Sequence, residues 1–261
     1  MTCKEFLKVL SSNAPLTPGA AEHLATCARC KALSASLEQL TSEPAPGRLA
    51  SIEQLLLSSL APVRPLPSNR ILASIALSGS VALAFLGALP FGYLALRSLS
   101  ARQMIIYYVL ILALGILLAA ATVQDMIPGA KRTINRSLLI GGAFGVLAVA
   151  ALLLFPNFAG PRFVHLGLGC LRLGTLSAAV AGLAAYLFLR RGVLTTPVQT
   201  CILAGTFAGL TGFAVLALHC PIQQSGHILA WHLGAMAMAG CGGALSGILL
   251  EFFTHFRRVA A

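Results

Sequence analysis

At 261 residues, with 57% apolar and only 10% charged side chains, the composition excludes an ordinary soluble globular protein and points to an integral membrane protein. The formal charge of +11 does not mark a nucleic-acid binder. Five of the seven acids (Glu5, Glu22, Glu38, Glu43 and Glu53) fall in a nearly neutral head, and the excess Lys and Arg lies between apolar runs, where the positive-inside rule and snorkelling put it.

The head comes first along the chain. Thr2-Cys3-Lys4-Glu5 fits a capping box, and Phe6, Leu7, Val9 and Leu10 give the helix behind it a short apolar face. Thr17-Pro18 opens a second helix, expected to run through Leu33, Leu37 and Leu40, because proline suits the first helical position. His23, Cys27 and Cys30 stand on it at spacings of four and three, which places them on one helical face. Two thiolates and an imidazole are three of the four soft ligands of a tetrahedral zinc site. Cys3, the only other cysteine before Cys170, is expected to close it as Cys3–His23–Cys27–Cys30 with Zn2+ as the cofactor. A redox pair, Cys27–Cys30, is the competing reading, and oxidation of that pair would eject the ion. Beyond two prolines, Leu49, Ile52, Leu55 and Leu56 recur at helical spacing and form a stripe that so small a head covers only in part, so it is a candidate partner surface. About seventy rather polar residues precede the first long apolar run, so no signal peptide is expected and the head is expected in the cytoplasm, where thiols stay reduced.

Six apolar runs follow, roughly Ile71–Leu96, Met104–Thr122, Ser137–Phe155, Leu171–Leu189, Val198–Leu218 and Ile228–Leu250. Each suffices to cross a hydrocarbon core, which takes about 20 residues. The expected fold class is therefore all-α: a zinc-binding cytoplasmic head (1–60), a stiff Pro-rich linker (61–70) and a six-helix transmembrane bundle with a short cytoplasmic tail (71–261). An even number of spans puts both termini on one side. With the head inside, nine basic residues near the membrane are inner (Arg64, Arg70, Lys131, Arg132, Arg136, Arg190, Arg191, Arg257, Arg258) and four are outer (Arg97, Arg102, Arg162, Arg172), which supports that orientation. The small residues of Ser78-Gly79-Ser80 and Ala204-Gly205-Thr206 predict close helix packing.

This topology places Cys170 at the outer start of the fourth span and Cys220 at the outer end of the fifth, level with His165, His219, His227 and His232. Thiol and imidazole without an acid suit Cu(I), Zn2+ or disulfide exchange. Each histidine taken singly reads as an interfacial side chain; the cysteine pair reads as functional. Trp231 reads as an interfacial anchor, and Cys201 and Cys241 as packing residues inside spans. Asp125 is expected in a loop and Glu251 at a span's end, so the spans lack the acids that carriers use. No metal-hydrolase motif of the H-E-x-x-H kind is present, and no enzyme is expected.

Two stretches resemble known families. Cys3 followed by His23-x3-Cys27-x2-Cys30 resembles the zinc-binding anti-sigma domain, which holds extracytoplasmic-function sigma factors away from RNA polymerase by wrapping helices around their DNA-reading domains. Cys170-Leu171, Arg190-Arg191-Gly192-Val193-Leu194, Leu218-His219-Cys220-Pro221 and Trp231-His232 resemble the six-span negative regulator of sigma F family, inner-membrane anti-sigma factors with paired outward cysteines implicated in sensing. The family's usual acid after Cys-Pro is replaced here by Ile222-Gln223-Gln224. Together the resemblances imply an anti-sigma factor in the bacterial inner membrane. Its partners would be an extracytoplasmic-function sigma factor and membrane lipid, with no direct nucleic-acid contact, and its signal, metal or oxidative stress, would be received at Cys170 and Cys220. A six-span transporter, or a metal-binding membrane protein with a zinc-binding regulatory head, is the alternative.

Overall fold

The computed structural model of the chain describes residues 2–11, 17–41, 67–127, 135–158, 163–189 and 196–259, with 51, 53–55, 57–58, 160 and 192 between them. Among these residues all regular structure is helical. The chain divides into two compact units, Met1–Pro65 and Leu66–Ala261.

The first unit contains α1 (Cys3–Ser11), α2 (Pro18–Thr26) and α3 (Ala28–Thr41). The capping box forms: the Thr2 backbone N–H donates to Glu5 Oε2 at 2.8 Å and the Glu5 N–H donates to Thr2 Oγ1 at 3.4 Å. Pro18 opens α2 as the sequence predicts. The single helix expected from Pro18 to Leu40 is instead two. Cys27 takes an extended backbone (φ −94°, ψ 108°), its N–H closes α2 on the His23 carbonyl, and α3 restarts one residue later. The core here is minimal. Phe6, Ala20 and Cys30 are buried, with Cys3, Val9, Leu10, Leu24 and Cys27 packed against them. A core of this size carries little hydrophobic stabilisation.

The second unit holds six helices long and apolar enough to cross a membrane. They are α4 (Asn69–Ala88, continued by a 3-10 turn to Phe91), α5 (Ala101–Asp125), α6 (Arg136–Leu154), α7 (Phe163–Leu189), α8 (Pro197–His219) and α9 (Leu233–Val259). The starts follow local chemistry. Ser100 and Gln103 form a reciprocal capping box on α5, Asn135 Oδ1 accepts from the Ser137 N–H at 2.9 Å on α6, and Pro197 opens α8. Gly92, at φ 80°, turns the chain after the first span in a conformation that favours glycine.

Helix α8 is the centre of the bundle, buried along nearly its whole length and packed against each of the other five spans. It can lie so close because its neighbours meet it at glycine. A Cβ on Gly243 of α9 would collide with the Cys201 carbonyl of α8, and one on Gly212 of α8 with the Gly174 carbonyl of α7. Gly205 is a contact of this kind, as the small-residue pattern predicts; Gly79 is not, since open space surrounds it, and Ser80 beside it bonds Thr211 of α8 instead (Oγ···Oγ1 2.7 Å). Tyr107, Leu118, Leu147, Phe155, Leu203 and Phe213 fill the middle. The outward faces are apolar too: Leu138, Leu153, Leu176 and Phe252 are all more than half exposed. A helix bundle that is apolar inside and out is matched to lipid rather than water.

Three expectations need correction. The fourth span does not begin near Leu171: α7 starts at Phe163 and, at 27 residues, is one of the longest. Its first two turns carry His165, Gly167 and Gly169, which mask it in a hydropathy reading. Cys170 therefore lies two turns inside the helix. Asp125 is not in a loop: it is the buried last residue of α5, where its carboxylate accepts from the Arg136 guanidinium at 2.5 Å and from Thr200 Oγ1 at 3.3 Å. Arg136 also donates to Gln199 Oε1. Cys241 is exposed on the bundle's surface rather than packed, whereas Cys201 is buried.

Candidate metal centre

In the first unit, Cys3 comes from the first turn of α1, His23 from α2, Cys27 from the break and Cys30 from the first turn of α3. Their ligand atoms all lie within 4.8 Å of one another. Cys3 Sγ is 3.7 Å from Cys27 Sγ, and Cys30 Sγ is 3.4 Å from His23 Nε2. Ligands about 2.3 Å (sulfur) and about 2.0 Å (nitrogen) from a tetrahedral zinc ion would stand about 3.5–3.8 Å apart. The donor set and its spacing therefore fit a metal ion, and the four residues could hold one. The break at Cys27 accomplishes what the spacing was expected to do on an unbroken helix. It lets the cysteine face the start of α1 while Cys30 turns inward, 2% exposed. Phe6 lies against the His23 ring, with centroids 5.7 Å apart and the planes tilted by 41°. The Cys30 N–H and then the Cys3 thiol draw the Cys27 thiol below its ordinary range, while burial and then the neighbouring thiols push Cys30 up to about 11. A cation bound here would displace the thiol protons, so its binding would be coupled to pH.

Of the candidate partner stripe, Leu55 is described and is 72% exposed; Leu49, Ile52 and Leu56 lie outside the described residues.

In the second unit, Cys170 Sγ and Cys220 Sγ are 3.5 Å apart, both thiols free. The sequence places them at similar depth on consecutive spans, and the structure brings them into contact. Residues 56–251 match the family described as negative regulator of sigma F. The chain belongs to that family. No curated protein matches the chain, and no solved structure does. Family membership makes this negative regulator a partner of a sigma factor, and six membrane-competent helices are the frame of its matched region. The Cys3–His23–Cys27–Cys30 cluster precedes the matched residues.

The four histidines expected level with the cysteine pair separate into two groups. His165 is exposed, and His219 is held away from the thiols, its Nδ1–H donating to the Gly92 carbonyl at 3.1 Å and its ring lying 5.4 Å from Phe91. His227 and His232 are buried beside the cysteines, with His227 Nε2 3.5 Å from Cys220 Sγ. Reading each histidine singly missed this pair. The two are five residues apart, which on an α-helix is ~140° around the axis and no shared face. The structure instead winds Ile228–His232 as a π-helical turn, with the Leu233 N–H bonded to the Ile228 carbonyl, and residues five apart come to one side. Trp231 lies against Gly167 and Phe163 rather than standing as a free anchor; the contact leaves no room for a Cβ at Gly167.

Proposed function

We propose that this chain is an anti-sigma factor of the bacterial inner membrane. Its cytoplasmic head sequesters an extracytoplasmic-function sigma factor, and an outward signal, metal or oxidative stress, received at Cys170 and Cys220 releases it. The observation that carries the reading is the family match over residues 56–251. Three further features support it. The excess of inner over outer basic residues favours cytoplasmic termini. The Cys3–His23–Cys27–Cys30 donor set suits Zn2+, which would supply the folding energy that the small core lacks. The exposed Leu55, with Leu49, Ile52 and Leu56 at helical spacing, offers an apolar stripe for an amphipathic contact with the sigma factor. Inhibition by such a head is occlusion, without catalysis.

The test is transcriptional. Deleting the gene should raise transcription from one set of sigma-dependent promoters. The wild-type chain supplied on a plasmid should restore repression, and an Ile52→Asp, Leu56→Asp chain present at the same membrane level should not. Unchanged transcription on deletion would contradict the reading, and full repression by the double variant would remove the stripe from it. A reporter fused after Arg258 should work only as a cytoplasmic reporter; outward activity there would overturn the orientation.

A further inference from the structure

We infer that Cys170, Cys220, His227 and His232 together form a second metal site, built for a soft or borderline d10 cation of the Zn2+ or Cu(I) class. The four ligand atoms lie within 4.8 Å of one another, although they come from the second turn of α7, the residue after α8, a single turn at Ser225–His227 and the π-helical turn ahead of α9. The two printed contacts to Cys220, 3.5 Å to Cys170 Sγ and 3.5 Å to His227 Nε2, match the about 3.5–3.8 Å edge of a tetrahedral site with sulfur and nitrogen ligands.

A second observation points to a ligand independently of that spacing. His232 is 2% exposed, and its ring nitrogens have no close hydrogen-bond partner, with the Cys170 thiol as a polar neighbour that interacts with the ring. A buried imidazole whose nitrogens are this poorly satisfied is costly unless a ligand takes them up. The π-helical turn that aims His232 at the thiols is itself a rare conformation that recurs at functional sites. A cation bound by Nδ1 or Nε2 of His232 accounts for both. The surroundings suit such an ion. Phe213 lies edge-on to His232 at 5.9 Å and Phe163 edge-on to His227 at 6.4 Å, so the imidazoles are held by aromatic walls that exclude water. No carboxylate belongs to the group, which disfavours Mg2+ and Ca2+. Two thiolates neutralise a divalent ion in this low-dielectric setting, and they leave one negative charge with Cu(I). At 3.5 Å the sulfurs are well outside the about 2.05 Å of a disulfide, so both thiols are available as ligands.

Binding would join α7, the end of α8 and the start of α9, three segments that meet at glycine contacts with little slack. That consequence rests on the proposed reading of the cysteine pair as the sensor; the site itself does not. The experiment uses the full chain, purified in detergent under reductant and loaded with Zn2+ and, in a parallel sample, Cu(I). Metal analysis of the zinc-loaded wild type should give two ions per chain. His232→Ala and His227→Ala should each give one, His232→Cys, which keeps a soft donor, should give two, and Cys201→Ser should give two. Retention of both ions in the two alanine variants under either metal, or a wild type that takes up no ion dependent on His232 with either metal, would overturn the site. Promoter activity in cells carrying the same variants separates the two claims. Loss of the second ion with an unchanged transcriptional response would leave the site standing and remove the sensor reading.

Discussion

The two Cys/His clusters differ less in chemistry than in what surrounds them. In the head, the ligands are the core: Cys30 is one of three buried residues in its cluster, and Cys3 and Cys27 are two of the five residues packed against it. In the bundle, the ligands sit at one end of a core that Tyr107, Leu118, Leu147, Leu203 and Phe213 already fill. The same kind of donor set therefore does opposite work. Where little else holds three short helices together, metal binding and folding would be one event. Where helices are locked by close glycine contacts and aromatic packing, an ion can come and go without unfolding the protein, which is what a signal requires.

The sharpest way to break this contrast is to remove one cysteine from each cluster. Cys27→Ser should remove most of a zinc contribution of about 10–16 kcal/mol and unfold the head. Limited proteolysis of the full chain should then cut quickly within residues 1–41 and leave α4–α9 intact. Cys220→Ser should leave both regions protected. Equal resistance of wild type and Cys27→Ser would show that the head folds without its ligands. The next largest effect should lie at the opposite end of α8 from Cys220. Asp125 and Arg136 form an ion pair with side chains 3% and 12% exposed. Asp125→Ala strands the guanidinium and should cost about 3–5 kcal/mol, read as lost thermal stability of the solubilised bundle. A change below about 1 kcal/mol would mean that water reaches this pair despite its burial.

These residues also show what could be read from the chain and what could not. Span number, helical class, the convergence of Cys3, His23, Cys27 and Cys30, and the nearness of Cys170 to Cys220 follow from periodicity, hydropathy and residue spacing, all of them local or additive signals. Two of the misses share one cause, a departure from regular helix. The break at Cys27 interrupts an alanine-rich stretch whose composition favours continuing, and it occurs where four ligands must converge. The π-helical turn rotates His232 onto the face of His227, which no α-helical wheel anticipates. The Asp125–Arg136 pair joins the ends of two helices across a loop, so its partners could not be paired by spacing alone.

Smaller changes sharpen the account of the bundle. Gly243→Val places side-chain carbons where the Cys201 carbonyl of α8 lies, and should destabilise α8–α9 packing by about 1–3 kcal/mol. Gly79→Ala faces open space and should be silent in the same thermal assay. Equal behaviour of the two would deny close glycine contacts their role. The smallest effect belongs to Tyr108, whose hydroxyl donates to the Ala217 carbonyl at 2.8 Å near the C-terminal end of α8. Tyr108→Phe should cost about 0.5–1.5 kcal/mol while leaving the metal content of the outer site unchanged.

The central claim is that the head holds a sigma factor only while its ligand cluster is intact. Copurification of the full chain from detergent-solubilised membranes of its own cells, with mass spectrometry of what comes with it, tests this most directly. The wild type should bring down one sigma factor in near-stoichiometric amount, and Cys27→Ser should lose it while the bundle is recovered at the same yield. A wild type that retains its zinc and brings down no sigma factor would contradict the account.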